Sequence, residues 1–291
     1  MLTRFDRVGI FYAIMSILIG KEPIDLRLSL YDSAQCFHWI ENEGQFGAVV
    51  NGAPVWVWQE NGCTYASDNA DAPALREYLD LNRDYSSLAE EYAAYEMAAN
   101  AVRLYPGLRV LNQPTWDTLL SFIISANNNV GRIRSLVMKL CRAYGTRFES
   151  EYGELYAFPE PGVLAAVAIE ELRAMGMGYR DRYLVETARA VAEGFPLEQM
   201  RHMDYETAHK QLTSLTGVGD KVADCIQLFG CGHTEAFPVD VWIARMVKVV
   251  FGMEGENRKK LGRDAREMLG KNAGLLQQFL FHASRTGAID V

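Results

Sequence analysis

Two residues in the last third of the chain have the types and spacing needed for covalent chemistry on a nucleic-acid sugar. Lys221 follows the glycine pair of Thr-Gly-Val-Gly, and Asp240 lies nineteen residues later, at the end of Phe-Pro-Val-Asp. A lysine amine can attack an electrophilic carbon and form a Schiff base. A carboxylate can stabilise positive charge on a sugar ring or handle a proton. The pair therefore predicts an amine nucleophile with a supporting carboxylate.

A glycine turn between two helices must position Lys221. Residues 205–215 place apolar side chains on one helical face, and a second helix is expected to run from an Asp220 cap through Phe229 and to stop at the glycines that follow. Gly217 and Gly219 suit the turn, because glycine adopts positive φ at little cost. The start of the second helix presents free backbone N–H groups, which can bind a phosphate. A turn that merely connects two helices is the alternative for these glycines.

Each reactive residue also has an ordinary structural interpretation. Lys221 could be a solvated surface lysine, although a cation in the first turn of a helix opposes the helix dipole. The same positive helix end disfavours its protonated form and would favour a nucleophilic amine. Cys225 shares the helix face of Lys221 and could be a buried structural cysteine. Asp240 precedes an apolar helix over residues 241–250, so we expect it to cap that helix even if it also reaches a cleft.

The glycine hairpin, Lys221 and the Pro-Val-Asp that ends at Asp240 together resemble the 8-oxoguanine DNA glycosylase/AP lyases, members of the helix-hairpin-helix DNA glycosylase superfamily. The resemblance covers roughly residues 24 to 287. It implies that Lys221 attacks C1′ of a flipped nucleotide, expels the base and supports β-elimination through a Schiff base. Asp240 would be the essential carboxylate. Val222 would join Gly217 and Gly219 as a DNA phosphate contact.

The resemblance also assigns residues that would contact the opposite strand. Residues 121–132 read SFIISANNNVGR and residues 176–183 read GMGYRDRY. By position, three side chains would contact the cytosine estranged from the flipped base, and Tyr179 would wedge into the vacated stack. The three cytosine contacts are Asn127, Arg132 and Arg180. Flipping costs on the order of a few kcal/mol, and a planar aromatic recovers part of it. Without the resemblance, the asparagine run would be a polar loop and the Tyr-Arg pair a surface turn before a helix.

The base pocket is assigned in the same way. Gln277 and Phe281 stand four residues apart, so one helix face carries both. The resemblance implies that these two positions read and sandwich the oxidised guanine, with Cys225 closing the other side of the sandwich. The ordinary alternatives are an exposed amide for Gln277 and a core aromatic for Phe281.

Three positions depart from the family pattern. Ala34 stands where a glycine usually presents the backbone carbonyl that reads N7 of 8-oxoguanine, and alanine restricts φ. We therefore expect an altered pocket or altered discrimination against guanine. Trp242 replaces a common phosphate-contacting histidine, and Thr216 replaces the proline before the hairpin.

Composition limits the partners and the compartment. The formal net charge is −8, yet residues 1–100 hold 6 basic and 15 acidic side chains, residues 101–200 hold 11 of each, and residues 201–291 hold 12 and 11. The acidic excess thus lies away from the hairpin, and modest, salt-dependent DNA affinity is expected. Five scattered cysteines favour a reducing cytoplasm and lack the spacing of an iron–sulfur cluster. We expect a cytoplasmic, nucleoid-associated protein of a prokaryote.

The predicted fold is α+β, with an N-terminal antiparallel β domain followed by two all-α subdomains that contain the helix-hairpin-helix motif. Residues 24–67 alternate as strands, with Asn-Gly turns at 51–52 and 61–62, and the pattern from about residue 72 is helical throughout, including a long helix over 86–104. Four segments are expected. They are an N-terminal extension (1–23), the β domain with trailing helices (24–108), a helical domain with the hairpin (109–230) and C-terminal helices that complete the helical subdomain and the substrate pocket (231–291).

The first 22 residues fit more than one interpretation. Residues 8–20 are mostly apolar and follow two arginines, as in the core of a signal peptide, but they are too short to span a bilayer comfortably. Alternatives are an accessory strand or helix on the β domain, or a start codon upstream of the true one.

These observations predict a bifunctional enzyme that excises 8-oxoguanine paired with cytosine and then cleaves the strand. The expected partner is double-stranded DNA containing an oxidised guanine, with no membrane, a monomeric state, no required cofactor and no catalytic metal. Backbone carbonyls at the hairpin could hold a structural monovalent or divalent cation. The alternatives are a monofunctional alkylpurine glycosylase that uses Asp240 and water, and a non-enzymatic helix-hairpin-helix DNA-binding module.

Overall fold

A five-stranded antiparallel sheet forms the N-terminal part of the protein. The structure is a computed structural model that describes residues 16–150, 152–255 and 257–289. The strand order is β1-β5-β4-β3-β2. The strands are β1 Ser16–Gly20, β2 Ile40–Asn42, β3 Gln45–Val50, β4 Ala53–Glu60 and β5 Cys63–Ser67.

Both predicted Asn-Gly hairpins are present. Asn51 and Gly52 have φ of 50° and 78°, and Asn61 and Gly62 have φ of 49° and 74°. Two consecutive residues with positive φ match the right-handed twist of the flanking strands, and asparagine and glycine tolerate that conformation best. These two turns set the register of β3, β4 and β5.

The first third departs from the predicted strand pattern at two places. β1 pairs with β5, so residues 16–20 form an edge strand, one of the alternatives for the N-terminal stretch. Residues 1–15 lie outside the described residues. Residues 24–39 were predicted as strand but contain a π-helical turn over Leu28–Asp32 followed by an irregular segment. Their alternating apolar residues instead pack on the sheet and the helices.

Thirteen helices are described after the sheet. Their bounds are α1 Ala72–Tyr78, α2 Leu88–Glu91, α3 Glu96–Leu104, α4 Thr115–Ser125, α5 Val130–Tyr144, α6 Pro161–Ala165, α7 Ile169–Ala174, α8 Arg180–Ala192, α9 Tyr205–Leu212, α10 Asp220–Ile226, α11 Val241–Phe251, α12 Arg258–Leu269 and α13 Ala273–Arg285. Short 3₁₀ turns cover Leu197–His202 and Gly270–Asn272, and a second π-helical turn covers Gln227–Cys231. The observed architecture confirms the α+β fold class.

Two helical predictions are wrong in detail. The helix expected over 86–104 is interrupted between α2 and α3, where the buried Tyr92 donates its hydroxyl to the Leu269 carbonyl (2.9 Å) and Tyr95 packs edge-on against Phe251. The region after residue 72 is also not wholly helical. A small hairpin of β6 Arg147–Ser150 and β7 Gly153–Tyr156 packs on the sheet. Contacts distant in sequence determine both features.

A buried polar network joins the irregular segment before β2 to the linker between α3 and α4. The Gln35 side chain donates to the Arg109 carbonyl (2.7 Å) and accepts from the Leu111 amide (2.8 Å). Gln113 donates to the Gln35 carbonyl (2.8 Å). Because buried polar groups are costly unless paired, this network holds the segment on either side of Ala34 in one position.

Candidate active site

The glycine turn has the geometry expected of an anion-binding hairpin. Gly217 has φ +84°, and a Cβ there would lie 2.7 Å from Tyr183. Gly219 caps α10 in an extended conformation, and nothing lies within 4 Å of a Cβ built there. Glycine is therefore required by packing at 217, whereas at 219 it leaves open space beside the helix N-terminus. The backbone N–H groups of the first turn, including that of Val222, have no carbonyl to bond within the helix.

The prediction that Asp220 caps this helix is wrong. Gly219 occupies the cap position, and the Asp220 carboxylate instead pairs with Lys259 of α12 at 2.9 Å. The helix also does not stop at Gly230. It continues as the π-helical turn to Cys231 and closes at Gly232, which has φ +78°. Lys221 nevertheless lies in the first turn of α10, as expected.

Lys221 points into a site floored by aromatic rings. Its Nζ lies 5.1 Å from the centroid of Phe122. Phe122 is stacked on Phe229 with centroids 5.4 Å apart and meets Phe37 edge-on. The ring faces exclude water beneath the amine and attract its charged form. Sequence reasoning missed Phe122, because an aromatic residue in an apolar helix reads as core.

Cys225 is a buried thiol one helical turn beyond Lys221 on α10. Burial raises the pKa of the Cys225 thiol to about 11, while Lys221 opposes the shift and Asp240 adds to it. This burial is consistent with the structural interpretation of Cys225.

The two carboxylate oxygens of Asp240 have different surroundings. Oδ1 accepts from the backbone N–H groups of Trp242 (2.9 Å) and Ile243 (2.8 Å), which confirms the predicted cap of α11. Oδ2 accepts no hydrogen bond from any residue in the described ranges. One oxygen thus fixes the carboxylate, and the other is available to a substrate.

Gln277 presents an unpaired acceptor in the interior. The residue is only 4% exposed, its Nε2 donates to the Pro238 carbonyl at 3.1 Å, and its Oε1 has no partner among the described residues. A buried amide oxygen without a partner is costly, so a ligand donor at this point would relieve it. The burial of Gln277 contradicts the exposed-amide alternative, and Phe281 is half-buried one turn further along α13.

Ala34 adopts the backbone conformation that glycine would favour. Its φ is +60°, in the left-handed region, which costs an alanine about 1 kcal/mol. The flanking carbonyls are engaged, because Gln278 donates to that of Ser33 (2.9 Å) and Gln113 to that of Gln35 (2.8 Å). Within the ranges that the structure covers, the Ala34 carbonyl accepts no hydrogen bond.

The three asparagines at the end of α4 perform different tasks. Asn127 is exposed with φ +49°, a conformation for which asparagine is enriched. Asn128 donates to the Ile124 carbonyl (3.2 Å), and Asn129 caps α5 by accepting from the Arg132 amide (2.9 Å). The run is a polar turn in part, yet the Asn127 side chain makes no hydrogen bond with any described residue.

Tyr179 and Arg180 meet this turn from the start of α8. Tyr179 is 51% exposed, and its hydroxyl donates to the Ala126 carbonyl at 3.2 Å. Arg180 is only 5% exposed, and its guanidinium donates to the carbonyls of Ala126, Asn127 (3.0 Å) and Met177 (3.1 Å). The structure thus brings the predicted opposite-strand residues together. It also shows that Arg180 is already committed to backbone carbonyls.

Arg132 borders this surface, and another exposed side chain, Trp242, stands beside Asp240 at the start of α11. Arg132 is exposed and donates to the Gly176 carbonyl at 3.2 Å. Trp242 is 50% exposed beside Asp240, with the Arg245 guanidinium 5.6 Å from its ring. Both side chains are accessible to a ligand the size of a nucleic-acid strand.

The described residues contain neither a metal-ligand cluster nor a helix that could cross a membrane. Across residues 16–150, 152–255 and 257–289, no three His, Cys, Asp or Glu side chains are grouped so that they could hold a metal ion. The cation expected at the hairpin stays a prediction. Within the same ranges, no helix combines the length and apolar character needed to cross a bilayer.

The fold and the glycine hairpin define a helix-hairpin-helix DNA-binding protein, and comparisons with known proteins agree. The HhH-GPD superfamily base excision DNA repair protein model matches residues 120–271, and the 8-oxoguanine DNA glycosylase N-terminal domain model matches residues 16–119.

Individual relatives match over most of their length. A protein of Methanothermobacter thermautotrophicus named "Probable N-glycosylase/DNA lyase" is 32% identical over 287 residues, covering 87% of this chain and 90% of the relative. The N-glycosylase/DNA lyase OGG1 of Arabidopsis thaliana is 30% identical, covering 87% and 75%. The 8-oxoguanine glycosylase/lyase of Clostridium acetobutylicum, in complex with double-stranded DNA containing cytosine opposite to 8-oxoG, superposes with a TM-score of 0.86 at 29% identity, covering 92% and 94%.

The chain belongs to the 8-oxoguanine DNA glycosylase/lyase family of the HhH-GPD superfamily. It is a bifunctional DNA glycosylase/lyase of base excision repair. This membership sets aside the monofunctional and non-enzymatic alternatives.

Proposed function

We propose that the protein excises 8-oxoguanine opposite cytosine from duplex DNA and cleaves the strand through a Schiff base on Lys221. The observation that carries the proposal is the Asp240 carboxylate, whose Oδ1 is fixed by two backbone N–H groups while Oδ2 has no partner among the described residues, in a family member that carries Lys221 in the first turn of α10. Excision through a Schiff base needs an amine, here that of Lys221, and a carboxylate oxygen that is free to face the sugar, here Asp240 Oδ2.

The reaction proceeds in two stages. The neutral Lys221 amine attacks C1′, and the electron pair of the breaking C1′–N9 bond leaves with the base, which takes up a proton. Opening of the sugar ring gives an iminium between Nζ and C1′. Asp240 Oδ2 stabilises the positive charge that develops on the sugar.

Strand cleavage follows from the iminium. The iminium acidifies the hydrogen on C2′, and loss of that proton expels the 3′ phosphate. Water then hydrolyses the imine and releases the free lysine. Every step uses groups of the protein, the DNA and water.

The base pocket provides selectivity. Cys225 and Phe281 would sandwich the purine, and Gln277 Oε1 would accept from its pairing edge. The Ala34 carbonyl would accept from N7–H of 8-oxoguanine. Guanine has a lone pair at N7, so it would leave the carbonyl unpaired, and such a mismatch can discriminate strongly.

The opposite strand would be read at the turn between α4 and α5. Asn127 and Arg132 are exposed and can reach an estranged cytosine, while Tyr179 fills the vacated stack. Four of the five guanidinium N–H groups of Arg180 donate to backbone carbonyls, which leaves one N–H on Nη1 for the cytosine. The hairpin N–H groups at Gly217, Gly219 and Val222 would bind the phosphate backbone of duplex DNA, and the enzyme would act as a monomer.

Borohydride trapping tests the proposal. The protein is incubated with duplexes that contain 8-oxoguanine opposite cytosine or adenine and is reduced with sodium borohydride. We expect a covalent adduct, formed faster opposite cytosine, that is lost in Lys221→Gln. Lys248→Gln, at an exposed lysine of α11, is the matched control and should retain the adduct. No adduct with the parent protein, or an adduct that persists in Lys221→Gln, would overturn the assignment.

A further inference from the structure

A buried carboxylate on the catalytic helix has no part in the proposed chemistry. Asp224 lies on α10 between Lys221 and Cys225 and is only 5% exposed. Its Oδ1 accepts the hydroxyl of Tyr205 in a short hydrogen bond and lies 3.8 Å from Nε2 of His209. Tyr205, His209 and Asp224, here called the Asp224 cluster, connect the two helices of the hairpin.

Helix α12 covers this cluster from the other side. The Arg266 guanidinium lies 3.9 Å from the centroid of Tyr205, and Lys259 pairs with Asp220 at 2.9 Å. Between them on the same helical face stands Gly262. A Cβ built at Gly262 would be 3.8 Å from Asp224 Oδ2.

The same glycine also contacts the chain that leads to Asp240. Its Cβ position is 3.3 Å from the Phe237 carbonyl and 3.5 Å from Val239. One turn of α12 therefore packs against both the helix that carries Lys221 and the segment that ends at Asp240. A change in the Asp224 cluster would therefore alter the distance between Lys221 and Asp240.

The Asp224 cluster buries ionisable side chains, and burial disfavours their charged forms. Burial raises the pKa of Asp224 to about 7, against the effect of the Tyr205 hydrogen bond, and the charges that face it are Arg266, Asp220 and Glu206. Burial likewise lowers the pKa of His209. An apolar residue of similar size would avoid this cost, and a buried hydrogen-bonded network specifies one packing arrangement where apolar contacts allow several.

We propose that Asp224 is a positioning residue, whose hydrogen bond to Tyr205 fixes the rotation of α10 and thereby holds Lys221 at its working distance from Asp240. Asp224 is three residues from Lys221, so both side chains move when the helix turns about its axis. The inference rests on the proposed role of Lys221 as the nucleophile. Misplacing a reacting group by about 1 Å can cost on the order of 100-fold in rate.

Three variants separate positioning from bulk structure. Asp224→Leu removes the acceptor and keeps the branched shape at Cγ, Asp224→Asn keeps an oxygen acceptor without the charge, and Tyr205→Phe removes only the donor. Single-turnover trapping rates and the Kd for lesion-containing duplex are measured for each, together with circular dichroism and thermal unfolding.

We expect Asp224→Leu to lower the trapping rate constant by about tenfold or more while Kd stays within about twofold. Asp224→Asn should recover most of the rate, and Tyr205→Phe should lose several-fold. Trapping by all three at the parental rate would overturn the proposal. Loss of rate and DNA affinity in parallel, without recovery in Asp224→Asn, would also overturn it, since that is the result of a structural defect.

The two proposals can fail separately. If the parent protein forms no adduct, the Schiff-base assignment fails whatever the variants do. If the parent protein and Asp224→Leu form the adduct equally fast, only the positioning role fails. If Asp224→Leu does not fold, an unchanged trapping rate in folded Tyr205→Phe is sufficient to reject the role.

Discussion

Ala34 combines an unfavourable backbone conformation with a position at the predicted base pocket. Its φ of +60° places the methyl group against its own backbone, and its flanking residues are held by buried hydrogen bonds. The surrounding structure therefore imposes the conformation. The same geometry leaves its carbonyl free, as the proposed reading of N7–H requires.

Ala34→Gly should relieve this strain. We expect the free energy of unfolding to rise by about 1 kcal/mol, because glycine adopts the left-handed region freely. Urea unfolding measures the change. Ala94→Gly, at an exposed turn alanine whose φ is not positive, is the control and should lower stability by about 0.5 kcal/mol. Equal effects at both positions would show that φ at Ala34 is not the cause.

Asp240 caps α11 and has a proposed role in excision, and substitution can separate the two. Asparagine caps a helix as well as aspartate does, but it carries no charge. We therefore expect Asp240→Asn to change the unfolding free energy by less than about 0.5 kcal/mol while excision slows by at least about 100-fold.

Asp240→Ala completes the comparison. It should lose the same activity and, in addition, about 1 kcal/mol of stability, because the amides of Trp242 and Ile243 lose their acceptor. Single-turnover excision and urea unfolding are the two measurements. Full excision activity in Asp240→Asn would show that the cap is the only role.

At the scale of elements, the two glycines of the hairpin turn meet different requirements: Gly217 is needed for packing, and Gly219 for the proposed phosphate binding. Gly217 contacts Tyr183 with a backbone that only glycine tolerates well, whereas Gly219 has ordinary φ and open space around it. The two glycines look equivalent in Thr-Gly-Val-Gly, yet their surroundings assign them different tasks.

The two alanine variants should therefore behave differently. Gly217→Ala is expected to lower the unfolding free energy by about 2 kcal/mol through strain and overlap. Gly219→Ala should leave stability within about 1 kcal/mol and weaken duplex DNA binding several-fold, because its methyl group occupies the space that a phosphate would approach. Urea unfolding and fluorescence anisotropy would show this. Unchanged DNA affinity in Gly219→Ala would contradict phosphate binding at the turn.

The turn between α4 and α5 is another element whose parts act together. The side chains of Asn128 and Asn129 make hydrogen bonds within the turn, and Arg180 donates to the carbonyls of Ala126 and Asn127. The side-chain amide of Asn127 has no hydrogen bond with any described residue. Opposite-strand recognition would thus depend on a loop that Arg180 has already ordered.

At the scale of the whole molecule, buried acids link stability to pH. Burial raises the pKa of Asp117 to about 8, and the neighbouring carboxylates of Glu198 and Glu160 reinforce the shift. The folded pKa lies above that of the unfolded chain, so between about pH 4 and pH 8 the unfolded state releases a proton that the folded state keeps. Stability from this group is present at low pH and is lost as pH rises through 8.

Asp117→Asn should remove that loss. Relative to the parent protein, we expect the variant to gain on the order of 2 kcal/mol of unfolding free energy between pH 5 and pH 8.5, after allowing for the partial exposure of the side chain. Urea unfolding at several pH values measures the gain. Parallel pH dependence in the two proteins would contradict the assignment to Asp117.

Charge at this scale is distributed unevenly. The excess of acidic residues lies in residues 1–100, whereas the predicted DNA contacts other than Ala34 lie between residues 127 and 281, where basic and acidic residues nearly balance. DNA binding would therefore depend on backbone N–H groups and a few arginines rather than on a broad basic surface.

The sequence by itself determined what short-range chemistry controls. The Asn-Gly hairpins, the Asp240 cap and the glycine turn each depend on residues within a few positions of each other, and the family resemblance depends on several such short motifs along the chain. Tertiary structure decided the rest, including the β1 edge strand, the break before α3, the replacement of the Asp220 cap by an ion pair and the burial of Arg180. It also placed the Phe122 ring next to the Lys221 amine and buried Asp224 against Tyr205. Burial, hydrogen bonding and ion pairing at these positions depend on partners distant in sequence, as when Tyr92 bonds to Leu269, and no local pattern encodes such partners.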